Sequence, residues 1–171
     1  MKTYGSQPEE GDGGDVEIGI AEYAVTANGV KLSTFGLGSC VAVAIHDGEA
    51  GVSGLAHVML PSDARSGDSV EDVGKYADTA IKAMVAEMEE AGANRESMEA
   101  KIAGGSEMFD FSGIAEGVGR RNVEATRNEL EALGIPIEAA DVGGDYGRSI
   151  EFDGETGALK LKTADEDKTE L

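Results

Sequence analysis

The chain is poor in the residues that would tie it to metals, disulfides, membranes or nucleic acid. It has one cysteine, Cys40, which excludes an internal disulfide framework. Two histidines, His46 and His57, with that single thiol give no zinc-ligand spacing, so no metal is expected. The Gly104-Gly105 and Gly143-Gly144 pairs are not followed by the Lys-Ser/Thr of a phosphate loop, and no cofactor is expected. Basic residues are scarce: 14 Lys and Arg stand against 34 Asp and Glu, a net charge of −20. Phosphate backbones and anionic lipids both need clustered cations, so neither nucleic acid nor a membrane surface is an expected partner. No apolar run approaches the roughly 20 residues of a membrane helix, and Met1 to Asp15 is polar and acidic rather than signal-like. Direct membrane insertion is therefore not expected, and a soluble cytoplasmic globule is.

Apolar residues, by contrast, are plentiful and patterned. They make up 40% of a 171-residue chain, which fits one folded domain rather than an acidic disordered one. At this length a single core buries roughly 70% of the surface of the unfolded chain. The acids are spread along the whole chain instead of forming one block. That distribution reads as adaptation to high salt, where screening shortens to about 3 Å at 1 M, more than as an acidic docking face. The salt reading expects a melting temperature that rises with added potassium chloride.

Residues 1–15 show no apolar period and read as a flexible acidic leader. Residues 163–171 read as an acidic tail, and the domain proper is expected over 16–162. Val16, Ile18 and Ile20 alternate as in a strand, and Val30 to Phe35 is a second strand. Gly36-Leu37-Gly38-Ser39 breaks the chain. Cys40 to Ile45 and Val52 to Leu60 are nearly continuous apolar strands joined around Asp47-Gly48, which reads as a central hairpin covered on both faces. Tyr76, Ala80, Ile81, Met84, Val85 and Met88 recur at helical spacing, predicting a helix over 73–90. A strand over 99–104, a helix over 119–133, a strand over 135–142 and a hairpin of 149–152 with 158–162 complete the order. The fold class is mixed α/β, mostly antiparallel, with two main helices packed on sheet.

Cys40 is either a small core hydrophobe or a nucleophile at a strand entrance, where the backbone N–H groups beside Gly38 and Ser39 could hold an oxyanion. No helix begins after it, so it needs an imidazole. His46 is about 20 Å away along a straight strand and reads as a loop histidine. His57 lies in the facing strand. With residues 46–51 as the turn, Cys40 falls opposite about residue 57, within reach across strands about 4.8 Å apart. A third group should orient the imidazole, and Thr34, Ser33 and distant acids are the candidates. A reactive thiol of this kind is expected to alkylate below pH 7.

Leu37-Gly-Ser-Cys-Val-Ala-Val43, Gly54-Leu-Ala-His-Val-Met-Leu-Pro61, Lys75-Tyr-Ala-Asp78, Lys101-Ile-Ala-Gly-Gly-Ser-Glu-Met-Phe109, Gly119-Arg-Arg-Asn-Val123 and Gly143-Gly-Asp-Tyr-Gly-Arg-Ser149, with Glu155-Thr-Gly157, occur in this order. Together they resemble the CheD family of chemoreceptor glutamine deamidases over residues 17–162. The resemblance implies a single-domain α/β sandwich and a cysteine-dependent protein-glutamine glutaminase. Its substrates would be glutamine side chains of methyl-accepting chemotaxis receptors. It matches the family's nucleophile to Cys40, its base to His57 and its third residue to Thr34, and it implies the phosphatase CheC as a partner. The rival readings are a non-catalytic chemotaxis adaptor that binds CheC or receptors, and a generic cysteine protease or acyltransferase.

Overall fold

The apolar runs on either side of Asp47-Gly48 form the centre of the molecule. In a computed structural model that describes residues 2–4, 9–10, 15–62, 70–107, 117–163, 165 and 168–171, β6 (Val41–Asp47) and β7 (Val52–Val58) pair antiparallel across a turn at 48–51. The other strands of this first sheet are β1 (Lys2–Tyr4), β4 (Tyr23–Ala27), β8 (Met98–Gly104) and β9 (Ile137–Val142), in the order β1-β4-β7-β6-β8-β9. A second sheet has the order β12-β11-β10-β5-β3-β2. Its strands are β2 (Glu9–Glu10), β3 (Val16–Glu17), β5 (Leu32–Leu37), β10 (Arg148–Phe152), β11 (Leu159–Thr163) and β12 (Lys168–Glu170). Among the described residues all pairings are antiparallel except β8 with β9 and β3 with β5.

Covering both faces explains why β6 and β7 read as unbroken apolar runs rather than as alternating strands. Val41, Val43, Ile45, Ala56 and Val58 face a layer made by α1 (Ala77–Glu90) and α2 (Val118–Ala132). Ala42, Ala44 and Leu55 face the second sheet, against Leu32, Leu37, Ile150 and Phe152. Each large aliphatic side chain buried here contributes about 2 kcal/mol. The molecule is thus an α/β sandwich with its helices on one outer face. Helix α1 buries the predicted stripe of Ala80, Ile81, Met84, Val85 and Met88.

Several elements differ from the sequence reading. The alternation of Val16, Ile18 and Ile20 does not continue: Ala21 takes a positive φ of 65°, and the turn leaves Ile20 54% exposed. The chain then enters β4, which the sequence reading overlooked. β5 runs two residues further than expected, so Leu37 is a buried strand residue and not part of a flexible break. His46 and Asp47 belong to β6 rather than to the loop. Strands also occur in both terminal stretches that carry no pattern. β1 and β2 lie in the first, and β12 pairs with β11 in the second. The Leu159 and Leu171 backbones exchange hydrogen bonds, and Lys101 Nζ donates to the Leu171 carbonyl at 2.9 Å. These edge strands are made by pairing, not by their own amphipathicity.

Candidate active site

The sandwich interior brings Thr34 of one sheet against His57 of the other. Both are fully buried, and Thr34 Oγ1 lies 2.7 Å from His57 Nδ1. The same hydroxyl donates to the Ile18 carbonyl at 2.9 Å. A hydroxyl has one proton, so the one that goes to Ile18 leaves Thr34 accepting from Nδ1–H. This fixes the neutral tautomer and leaves the lone pair on Nε2. That nitrogen is buried and has no hydrogen-bond partner among the described residues. Of the three kinds of orienting group left open by the sequence, the structure places Thr34 on the ring.

Cys40 sits one residue before β6. Its partly buried side chain packs against the sandwich-face cluster to which Ala42 and Leu55 belong. The register differs from the expected one. His57 faces Ala42, because the turn is two residues shorter than assumed, both taken up by the β6 end, and Cys40 is displaced two positions along. A shift of one would have sent the thiol to the opposite face; a shift of two keeps it on the same one. Cys40 and His57 are therefore diagonal neighbours, a relation that spans about 7–8 Å between backbones and is within reach of longer side chains.

Burial sets the electrostatics of both groups. It pushes the His57 imidazole down to about 4. It pushes the Cys40 thiol above its ordinary value, opposed by a hydrogen bond from the residue's own backbone N–H. Both shifts favour a neutral thiol beside a neutral imidazole at rest. Alkylation below pH 7, as the sequence suggested, runs against this direction.

The backbone around Cys40 is held from three sides. Gly105 N–H donates to the Cys40 carbonyl at 2.8 Å and Ser106 N–H to the Gly38 carbonyl at 2.9 Å. Gly104, at φ 109°, is irreplaceable here, since a Cβ would strike the Cys40 carbonyl. Asn122 Nδ2 donates to the Ser39 carbonyl at 2.8 Å and to the Met59 carbonyl at 2.9 Å. The carbonyls of Gly38 and Ser39, whose N–H side was expected to hold an oxyanion, are taken up by the scaffold. Arg148, also buried, pairs with Asp141 at 2.9 Å and stacks on Tyr146, joining β10 to β9 across the two sheets beside Gly104.

Asn122 and Arg148 were missed from sequence. Asn122 had a signal: Gly119, Asn122, Thr126 and Leu130 share the buried stripe of α2, and a polar residue on such a stripe needs partners. His46 lies at the far end of β6, with Nδ1 2.9 Å from Ser53 Oγ, away from the thiol as expected. Among the described residues no group of three His, Cys, Asp or Glu side chains is arranged for a metal ion. No described helix is long and apolar enough to cross a membrane.

The two-sheet sandwich thus puts Cys40 on the same face as a hydroxyl-held imidazole, at the end of the β6–β7 ladder. The profile described as CheD chemotactic sensory transduction matches residues 59–163. A protein of Haloarcula marismortui named probable chemoreceptor glutamine deamidase CheD is 45% identical over the whole of both chains. The chemoreceptor glutamine deamidase CheD of Thermotoga maritima is 49% identical over 85% of this chain and 89% of its own. That of Halalkalibacterium halodurans is 42% identical over 91% and 98%. The chain belongs to the CheD family.

Proposed function

We propose that this chain hydrolyses selected glutamine side chains of methyl-accepting chemotaxis receptors to glutamate, with Cys40 as nucleophile, His57 as base and Thr34 as the group that orients the base. The relatives named for this reaction supply the substrate class. The observation that carries the chemistry is the direction of the Thr34–His57 hydrogen bond, which leaves Nε2 unprotonated on the face that Cys40 shares.

The reaction starts from the neutral pair. As the sulfur bonds to the glutamine Cδ, the thiol proton passes to His57 Nε2. The carbonyl oxygen becomes an oxyanion, held by backbone N–H groups at Ser39 and Cys40. Collapse breaks the C–N bond, and His57 returns the proton to nitrogen, releasing ammonia and leaving a thioester. Water then attacks, giving its proton to His57. The second collapse frees glutamate and restores the thiol. Thr34 keeps Nδ1 protonated throughout and steadies the imidazolium. Each converted side chain gains a negative charge, which biases a receptor bundle between its signalling states. The same thioester route accepts a methyl ester.

The enzyme would act in the cytoplasm, where the receptor signalling helices lie, and a CheC-type phosphatase would compete for the same rim. The deciding experiment is mass spectrometry of a receptor fragment incubated with wild type and with Cys40→Ala. Gln-to-Glu conversion with wild type alone is expected. Equal conversion by both ends the proposal, and conversion by neither, with the receptor still bound, leaves an adaptor.

A further inference from the structure

The ladder between β6 and β7 ends at the Val41–Val58 pair, one residue short of the thiol. Beyond it the two strand ends are bridged by a side chain from α2. The Asn122 amide donates to Ser39 O on the β6 side and to Met59 O on the β7 side. Two carbonyls can be met only by the NH2 end of the amide, so its orientation is fixed. Asn122 is fully buried, and its Oδ1 has no partner among the described residues. A polar side chain in that state costs stability, and its donor end serves no helix or sheet bond.

The consequence lies in the peptide between Ser39 and Cys40. Among the described residues no peptide bond is cis, so the Ser39 C=O and the Cys40 N–H point in opposite directions. Helix α2 lies on the helix-facing side of the first sheet, and the Cys40 side chain lies on the sandwich side. Drawing the Ser39 carbonyl toward α2 therefore turns the Cys40 N–H toward the sandwich side, the side of the thiol.

We propose that Asn122 is a positioning residue that sets the Ser39–Cys40 peptide plane and so aims the Cys40 N–H at the oxyanion of the deamidation reaction. It touches neither substrate nor sulfur and acts through the backbone alone. The proposal rests on the thiol mechanism described above.

Iodoacetamide alkylation tests the two parts separately, since displacing iodide forms no carbonyl oxyanion. Asn122→Ala and the isosteric Asn122→Asp are compared with wild type for kcat and KM on a receptor fragment. Their Cys40 alkylation rates are measured across pH, and their melting temperatures are recorded. Expected is a fall in kcat on the order of 10²-fold, the scale of a lost oxyanion donor, with KM and the alkylation profile unchanged. An unchanged kcat overturns the proposal. Alkylation that falls in step with kcat also overturns it, as does unfolding of both variants at the assay temperature, because the residue then serves the fold rather than the hole. Wild-type protein that alkylates at Cys40 yet releases no ammonia instead refutes the functional reading and takes this one with it.

Discussion

The two histidines occupy opposite ends of one strand pair, and each is bound through Nδ1 to a hydroxyl. His46 meets Ser53 at 2.9 Å and His57 meets Thr34 at 2.7 Å. In both cases burial leads in lowering the basicity, although Asp47, Asp153 and Glu138 partly offset it at His46. What separates them is the surroundings. Thr34 has a second, directional bond to Ile18, so the ring tautomer at His57 is fixed. His57 also shares its face with a thiol whose backbone is braced by Asn122 and by Gly105. His46 packs edge-on against Phe152 beside the tight 48–51 turn, at the end of β6 away from Cys40. The histidine–hydroxyl pair alone does not distinguish the two positions; the thiol at the end of the ladder does.

Three measurements would break or sharpen that contrast. The largest effect is on turnover: His57→Ala lowers kcat by about 10³-fold, the scale of a general acid–base, whereas His46→Ala leaves it unchanged. Ammonia release by purified variants checks this, and equal losses would erase the distinction. Next comes stability in acid. The unfolded chain takes up a proton on His57 near pH 6.5, while the folded one does so only at about 4. The unfolded state binds more protons between these values, so stability falls as pH drops through that window and levels off below it. The loss attributable to His57 is about 3 kcal/mol. Urea titrations of wild type and His57→Asn at pH 7 and pH 4 read it as a difference of slopes, and His46→Asn retains most of the wild-type slope. The smallest effect concerns the hydroxyls. Thr34→Val leaves a buried Nδ1–H unpaired, which costs about 1–3 kcal/mol and lowers kcat roughly 10-fold or more, while Ser53→Ala does not change it.

How far the sequence carried this picture depended on the kind of force involved. α1 was legible because Ala80, Ile81, Met84, Val85 and Met88 bury at helical spacing, and that stripe is written in the chain itself. The central hairpin was legible for the same reason, from two apolar runs and one turn. β1, β2, β4 and β12 were not, since each is held by pairing with another strand rather than by an amphipathic pattern of its own. Cys40 and His57 could be placed on one face because the side-chain period of two survives an error of two in register. Asn122 escaped because α2 was read for its apolar positions alone, and the carbonyls it braces come from loops whose placement only the fold reveals.

The order in which the parts come off the ribosome adds a final point. The proposed thiol, base and orienting hydroxyl all fall within residues 34–57, a short stretch of chain, although Thr34 reaches the ring from the other sheet. The brace at Asn122 arrives 83 residues after the carbonyl it grips. Contacts of such long range form late, after the cost of closing the intervening loop has been met. A half-made chain would therefore carry its chemistry unarmed, and competence would be switched on by the docking of the second helix.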